Sequence, residues 1–229
     1  MNYFLVMPAA GIGRRFGGAL PKQYAPLRGR AVIEWALAPF LGDRRCEACV
    51  VVLAADDPYW KAPAGAGKVI VAEGGRERSH SVRKGLAALE GRAAEGDWVL
   101  VHDAARPCLA HADLERLVRH LASHAVGGLL ACPAADTLKR ADASGHVLET
   151  VERAGLWRAL TPQMFRYGRL REALDRAHAA DRSPTDEAQA MEWLGERPQL
   201  VEGAATNLKI TTAADLTLAA ALLAEYPCE

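Results

Sequence analysis

The chain has 229 residues, enough for one α/β domain with a substantial core and short for two. Lys and Arg balance Asp and Glu at 28 each, which excludes a general attraction to nucleic acid or membrane surfaces and requires a local cluster to catch any polyanion. No apolar run approaches the roughly 20 residues of a membrane helix, and no Lys or Arg precedes Arg14, so neither a span nor a signal peptide is expected.

The first predicted strand covers 3–7. Directly behind it comes "MPAAGIGRRFGGALPKQ", residues 7–23, with four glycines, three cations and no acid. Glycines at 11, 13, 17 and 18 allow close backbone approach and positive φ, and consecutive amides in such a loop form an anion-binding concavity. Two named phosphate motifs fail. Ala19 follows Gly18 where a Walker loop needs Lys, and Phe16 stands where a dinucleotide fingerprint needs glycine. Arg14, Arg15 and Lys22 repel one another unless an anion neutralises them. A triphosphate accounts for the amides and the cations together, whereas a solvated basic loop accounts only for the charge.

Further along, a helix is expected at 32–41, then strands at 50–53 and 68–71. Cys46 and Cys49 have CxxC spacing but lead into a strand and lack a second pair for zinc, so the five cysteines read as reduced thiols of a cytoplasmic protein. "EGGRERSHSV" turns through Gly74 and Gly75 into a helix at 78–89. A strand at 98–102 ends in "HDAARP", which puts Asp103 at a carboxyl-terminal strand edge, where open α/β sheets bind ligands. An Asp103–Arg106 pair that only stabilises the turn is the plainer reading. A helix at 112–123 and a strand at 129–132 follow; His120 and His124 lack a carboxylate in register for zinc.

From 136 to about 161 the helical period fades, and Ala143-Ser144-Gly145 reads as a hairpin turn in an antiparallel arm. Helices at 169–179, 186–194 and 213–226 flank a strand at 199–201. Ser183-Pro184-Thr185-Asp186 and Thr212-Ala213-Ala214-Asp215 are capping sequences, and in the first the acids 186 and 187 are explained equally well by the helix dipole. Asn207-Leu208-Lys209-Ile210-Thr211 reads as the polar end of a late strand. Only six lysines stand against 22 arginines, so Lys22 and Lys209 inside motifs are suggestive. Alternating strands and helices predict one α/β domain over 1–229, a Rossmann-like, mostly parallel sheet with helices on both faces plus the antiparallel β-arm at 136–161.

The string "PAAGIGRRFGGALPKQ" resembles the signature of sugar-phosphate nucleotidyltransferases, most closely the 2-C-methyl-D-erythritol 4-phosphate cytidylyltransferase family. The likeness runs through "EGGRERSHSV", "VHDAARP", "DTLKR", "GLWRALTPQMF", "TDEAQAMEWLG" and "PQLVEGAATNLKIT". It implies transfer of CMP from CTP to the polyol phosphate, with release of pyrophosphate. By the same resemblance Arg15, Lys22 and Lys209 are catalytic. Pro8, Ala9, Ala10, Gly11, Gly13, Arg15, Lys22, Gly75, Ser81, Asp103 and Ala104 bind CTP, and Arg106, Thr137, Arg153, Thr161, Thr185 and Lys209 bind the polyol phosphate. The implied cofactor is Mg²⁺, or another divalent cation, held mainly by CTP phosphates with Asp103 as a candidate ligand. The implied assembly is a homodimer through the 136–161 arm. A cytidylyltransferase for another polyol phosphate, such as ribitol 5-phosphate, and a nucleotide-binding regulator without turnover remain the alternatives; retention of Arg15 and Lys22 argues against the regulator.

Overall fold

The computed structural model describes residues 1–11, 13, 16–17, 20–63 and 65–225; Arg14, Arg15, Gly18 and Ala19 of the basic loop lie outside the described residues. The elements, in chain order, are β1 (Tyr3–Pro8), β2 (Pro26–Leu27), β3 (Arg30–Ala31), α1 (Val32–Leu41), β4 (Cys46–Leu53), β5 (Val69–Glu73), α2 (Arg78–Ala87) and β6 (Trp98–Val101). There follow α3 (His111–Leu121), β7 (Gly127–Pro133), β8 (Leu138–Ala141), β9 (Val147–Val151), β10 (Trp157–Arg166), α4 (Tyr167–Ala179), α5 (Glu187–Trp193), β11 (Gln199–Glu202) and α6 (Ala213–Glu225).

Successive side chains of a strand point to opposite faces, so an uninterrupted apolar run such as Tyr3-Phe4-Leu5-Val6-Met7 needs cover on both. It has that cover. Tyr3, Leu5 and Met7 join Leu37 and Phe40 of α1 and Leu114 and Leu117 of α3 in one core. Phe4 and Val6 join Val82 and Leu86 of α2 and Leu170 and Leu174 of α4 in the other. A third cluster seats Ala219 and Leu223 of α6 against Leu27, Cys108 and Ile210.

The seven-stranded sheet has the order β11-β7-β10-β6-β1-β4-β5. Its neighbours pair parallel except β10, which runs antiparallel to both β6 and β7. The expected mostly parallel sheet with helices on both faces is therefore present. β8 and β9 form a separate two-stranded ribbon around Gly145, whose φ is +84°. Val147 and Leu148 of that ribbon are each 62% exposed.

Three local expectations need correction. The antiparallel excursion closes before Thr161: β10 begins at Trp157 and carries Leu160 to Phe165 through the core, with an irregularity between Ala159 and Gln163. The helix expected at 186–194 is present, but its cap is Asp186 rather than Ser183: the Asp186 carboxylate accepts from Gln189 N at 2.9 Å, while Ser183 Oγ pairs with Ser79 Oγ. The 207–211 segment is a loop after β11 rather than a strand end, tied to the 103–106 turn by Ile210 N donating to Ala105 O at 2.8 Å.

Candidate active site

Because β1, β5 and β6 are parallel, their carboxyl ends open on the same edge of the sheet, and a cleft forms there. The chain leaving β1 supplies Pro8, Ala9, Ala10 and Gly11; the turn after β5 supplies Gly75, Arg76 and Glu77; the turn after β6 supplies Asp103, Ala104 and Ala105. Lys22, Gln23, Arg78, Ser81 and Lys209 complete the lining.

Backbone carbonyls and buried amides hold the walls. Ala9 N donates to Val52 O at 2.7 Å and Gly74 N to Leu53 O at 2.6 Å. Gln23, 4% exposed, donates its amide to Ala9 O at 2.7 Å and Gly11 O at 3.1 Å, bracing the start of the basic loop. A Cβ on Gly74 would collide with Ala10 Cβ and lie 3.0 Å from both Leu53 O and Ser81 Oγ, so the two walls approach this closely only without a side chain there. Ser81 Oγ accepts from Gly75 N and donates to Glu77 O, both at 3.1 Å, which makes it a brace for the glycine turn. Gly13, at φ +62°, lets the loop lie on the Lys22 stem, whose Cγ and Cδ would be 3.1 Å from an added Cβ.

The charges converge on Asp103. Arg78 Nε is 3.0 Å from its Oδ1, and Lys209 Nζ and Arg106 Nε are 2.9 and 3.4 Å from Oδ2. Burial alone would raise the Asp103 carboxyl, but Arg78, Lys209 and Arg106 hold it well below the usual aspartate range. Glu187, 1% exposed, takes the other end of Arg78 in a two-pronged contact at 2.6 and 3.0 Å. Burial raises the Glu187 carboxyl although Arg78 opposes the shift, and burial lowers Arg106. His102 is fully buried, which drops it to about 4 despite the neighbouring Asp103 carboxylate, so its ring is neutral at physiological pH. From the other wall Lys22 Nζ donates to Ile210 O at 2.9 Å, beside Lys209.

The cleft thus gathers Pro8, Ala9, Ala10, Gly11, Lys22, Gly75, Ser81, Asp103, Ala104 and Lys209 from the expected set. Arg106 and Thr161 stand behind its wall, 8% and 4% exposed. Thr185 is exposed ahead of α5, its N–H donating to Gln189 Oε1. Thr137 and Arg153 are exposed on the arm, and Arg153 Nη1 contacts Ala135 O. Arg15 lies outside the described residues. Sequence reasoning missed Gln23, Arg76, Arg78 and Glu187. Gln23 and Arg78 sat inside motifs already in view, and Glu187 had been ascribed to the helix dipole. Among the described residues no group of three or more His, Cys, Asp or Glu could hold a metal, and no helix is long and apolar enough to cross a membrane.

A family model described as 2-C-methyl-D-erythritol 4-phosphate cytidylyltransferase matches residues 3–225. The protein of that name from Ectopseudomonas mendocina is 55% identical over 218 residues, 94% of this chain and 93% of its own length. The one from Pseudomonas putida strain W619 is 51% identical over 217 residues, 93% of this chain and 92% of its own. A crystal structure of 4-diphosphocytidyl-2C-methyl-D-erythritol synthase superposes with a TM-score of 0.85 at 40% identity, covering 97% of this chain and 98% of that one. The Francisella tularensis 2-C-methyl-D-erythritol 4-phosphate cytidylyltransferase does so at 0.83 and 34%, covering 97% and 100%.

Proposed function

This chain belongs to the 2-C-methyl-D-erythritol 4-phosphate cytidylyltransferase family, and we propose that its cleft joins CTP to 2-C-methyl-D-erythritol 4-phosphate. The observation that carries this reading is the meeting of Lys22, Lys209 and Asp103 with the Ala9–Ala10 and Gly75 walls at one sheet edge. A phosphate oxygen of the polyol phosphate attacks the α-phosphorus of CTP; the new P–O bond forms as the bond to the β-phosphate breaks, and pyrophosphate leaves with that electron pair. A phosphate dianion is already a nucleophile at neutral pH, so no strong base is needed and the barrier is mainly repulsion between anions. Positioned cations lower it.

Lys22 and Arg15 attend the α-phosphate and the departing pyrophosphate, and Lys209 supports the α-phosphate from the opposite wall. Leaving Asp103 for a phosphate oxygen costs Lys209 one ion pair and gives it another, while Arg78 and Arg106 keep the Asp103 carboxylate paired. Small wall residues leave room for a pyrimidine read by backbone groups. Mg²⁺ would enter this cleft as a companion of the triphosphate, held mainly by phosphates and water, with Asp103 as the candidate protein ligand once Lys209 turns from its Oδ2 to a phosphate oxygen. When bound, Mg²⁺ would neutralise leaving-group charge.

We place the enzyme in the cytoplasm, on the odd cysteine count and the unbridged Cys46 and Cys49, whose sulfurs are 3.5 Å apart. A homodimer through the arm is supported by its exposed Leu138, Val147 and Leu148, and by Thr137 and Arg153 being exposed on the arm and not among the residues that line the cleft. The test is pyrophosphate release from CTP and Mg²⁺ with 2-C-methyl-D-erythritol 4-phosphate or ribitol 5-phosphate. The first should turn over at least a hundredfold faster in kcat/KM, on the order expected when matched polar groups go unpaired with the wrong ligand. Equal rates, or none with either, would remove the assignment.

A further inference from the structure

Thr161 closes a line of hydrogen bonds behind Asp103. His102 Nε2 lies 3.1 Å from Arg106 O, and His102 Nδ1 lies 2.8 Å from Thr161 Oγ1. Asp103 N donates to the same Oγ1 at 3.1 Å. A carbonyl oxygen only accepts, so the ring hydrogen is on Nε2, and the neutral ring leaves Nδ1 bare. Nδ1 therefore accepts, and the single hydroxyl hydrogen of Thr161 goes to it. The direction of every bond is then fixed: Asp103 N–H to Thr161 Oγ1, Thr161 O–H to His102 Nδ1, and His102 Nε2–H to Arg106 O.

The surroundings leave the line little freedom. His102 is fully buried and its ring lies 5.3 Å from the Phe40 ring. Fully buried Asn207 donates its amide to Thr161 O at 2.7 Å and accepts Arg106 Nη1 on its backbone oxygen at 2.7 Å. With its hydrogen given to His102, the Thr161 hydroxyl has only a lone pair to offer, and a phosphate dianion has no hydrogen to give it. Resemblance gave Thr161 to the polyol phosphate; the hydrogen bonds leave it a lone pair for a substrate hydroxyl but no hydrogen for the phosphate group.

We propose that Thr161 and His102 are positioning residues that lock the 103–106 turn to β10 and so aim the Asp103 carboxylate. This deepens the reading of the cleft as a cytidylyltransferase site and rests on it. A misplaced Asp103 disturbs the transition state for both substrates together, whereas loss of a phosphate ligand weakens only the polyol phosphate.

The test combines kinetics with a measurement that needs no turnover. In ¹⁵N spectra of the wild-type protein the His102 ring should carry its hydrogen on Nε2 and show a bare Nδ1; the opposite tautomer overturns the proposal even if the protein has a different activity. If wild-type turnover is absent, the functional reading fails while the spectrum still judges the line of bonds. Thr161→Val should lower kcat about tenfold, the scale of an unsatisfied buried donor, with the KM values for CTP and polyol phosphate changing alike. Thr161→Ser should recover most of that loss. His102→Gln keeps a donor for Arg106 O but has no acceptor at the place of Nδ1, and the double variant with Thr161→Val should be no worse than the weaker single. A KM rise confined to the polyol phosphate in Thr161→Val, or multiplying losses in the double variant, would overturn it.

Discussion

Lys22 and Lys209 reach the cleft from segments 187 residues apart, and Lys22 is anchored on the chain that carries Lys209 through Ile210 O. Such preorganisation stabilises charge that grows during reaction and adds less to binding of a triphosphate held by many other contacts. Lys22→Ala should lower kcat about 100-fold or more, roughly 3 kcal/mol of transition-state stabilisation, with a smaller loss in CTP affinity by calorimetry. Unchanged turnover in the folded variant would remove Lys22 from the mechanism. Gly74→Ala tests the walls: its methyl group meets Ala10 Cβ and Leu53 O, neither of which can yield without moving backbone, so KM for CTP should rise and melting temperature should fall. The residues that line the cleft were legible because cations, glycines and an acid stand in short motifs. Arg78 and Glu187 were not legible as a pair, since 109 residues separate them and nothing in either motif records the burial that joins them.

At the scale of elements, the turn between α1 and β4 depends on one carboxylate. Asp43 Oδ2 accepts from Tyr3 Oη at 2.8 Å and from Arg45 Nη2 at 2.8 Å, while its Oδ1 accepts Arg45 N at 2.9 Å. Burial works to raise this carboxyl, but the bonds from Arg45 and Tyr3 outweigh it and leave it below the ordinary 3.8. An acid whose folded value is depressed takes up a proton on unfolding between the two values, so its stabilisation is complete above about 3.8 and fades as pH falls below that. Asp43→Asn should be less stable by about 2 kcal/mol at pH 7, and the gap between the urea midpoints of the two proteins should narrow as pH falls below about 3.8. A gap that persists undiminished there would assign the effect to packing. Helices and parallel strands could be read from period and apolar runs because both sheet faces are covered. β10 was the failure. Thr161-Pro162 reads as a breaker, yet the strand tolerates proline at its irregularity and continues to Arg166 through contacts with β6 and β7 that no local pattern encodes. The α5 cap slipped three residues for a related reason: Gln163 of β10 donates to Asp186 Oδ2 and accepts from Ala188 N, which fixes the helix start by tertiary contact.

For the whole molecule the unexplained surface is the arm. A two-stranded ribbon is marginal in water without packing, and β8 and β9 expose Leu138, Val147 and Leu148. In a twofold dimer the cover for such a ribbon is the partner's surface, and any residue it carries toward a cleft serves the partner's cleft. Each active site would then combine Lys22 of one protomer with Arg153 of the other, which gives Arg153 a fork for the substrate phosphate. Lys22→Ala and Arg153→Ala proteins should each be nearly inactive. Unfolded together in equal amounts and refolded, about half of the dimers should be mixed, and each mixed dimer should have one intact site and one doubly damaged site. Activity should recover to roughly a quarter of wild type from that symmetry alone. Mass spectrometry of the intact dimers counts the mixed species independently of turnover. If heterodimer is present and the mixture stays as inactive as its parents, the two residues belong to one protomer's site and the arm serves another purpose.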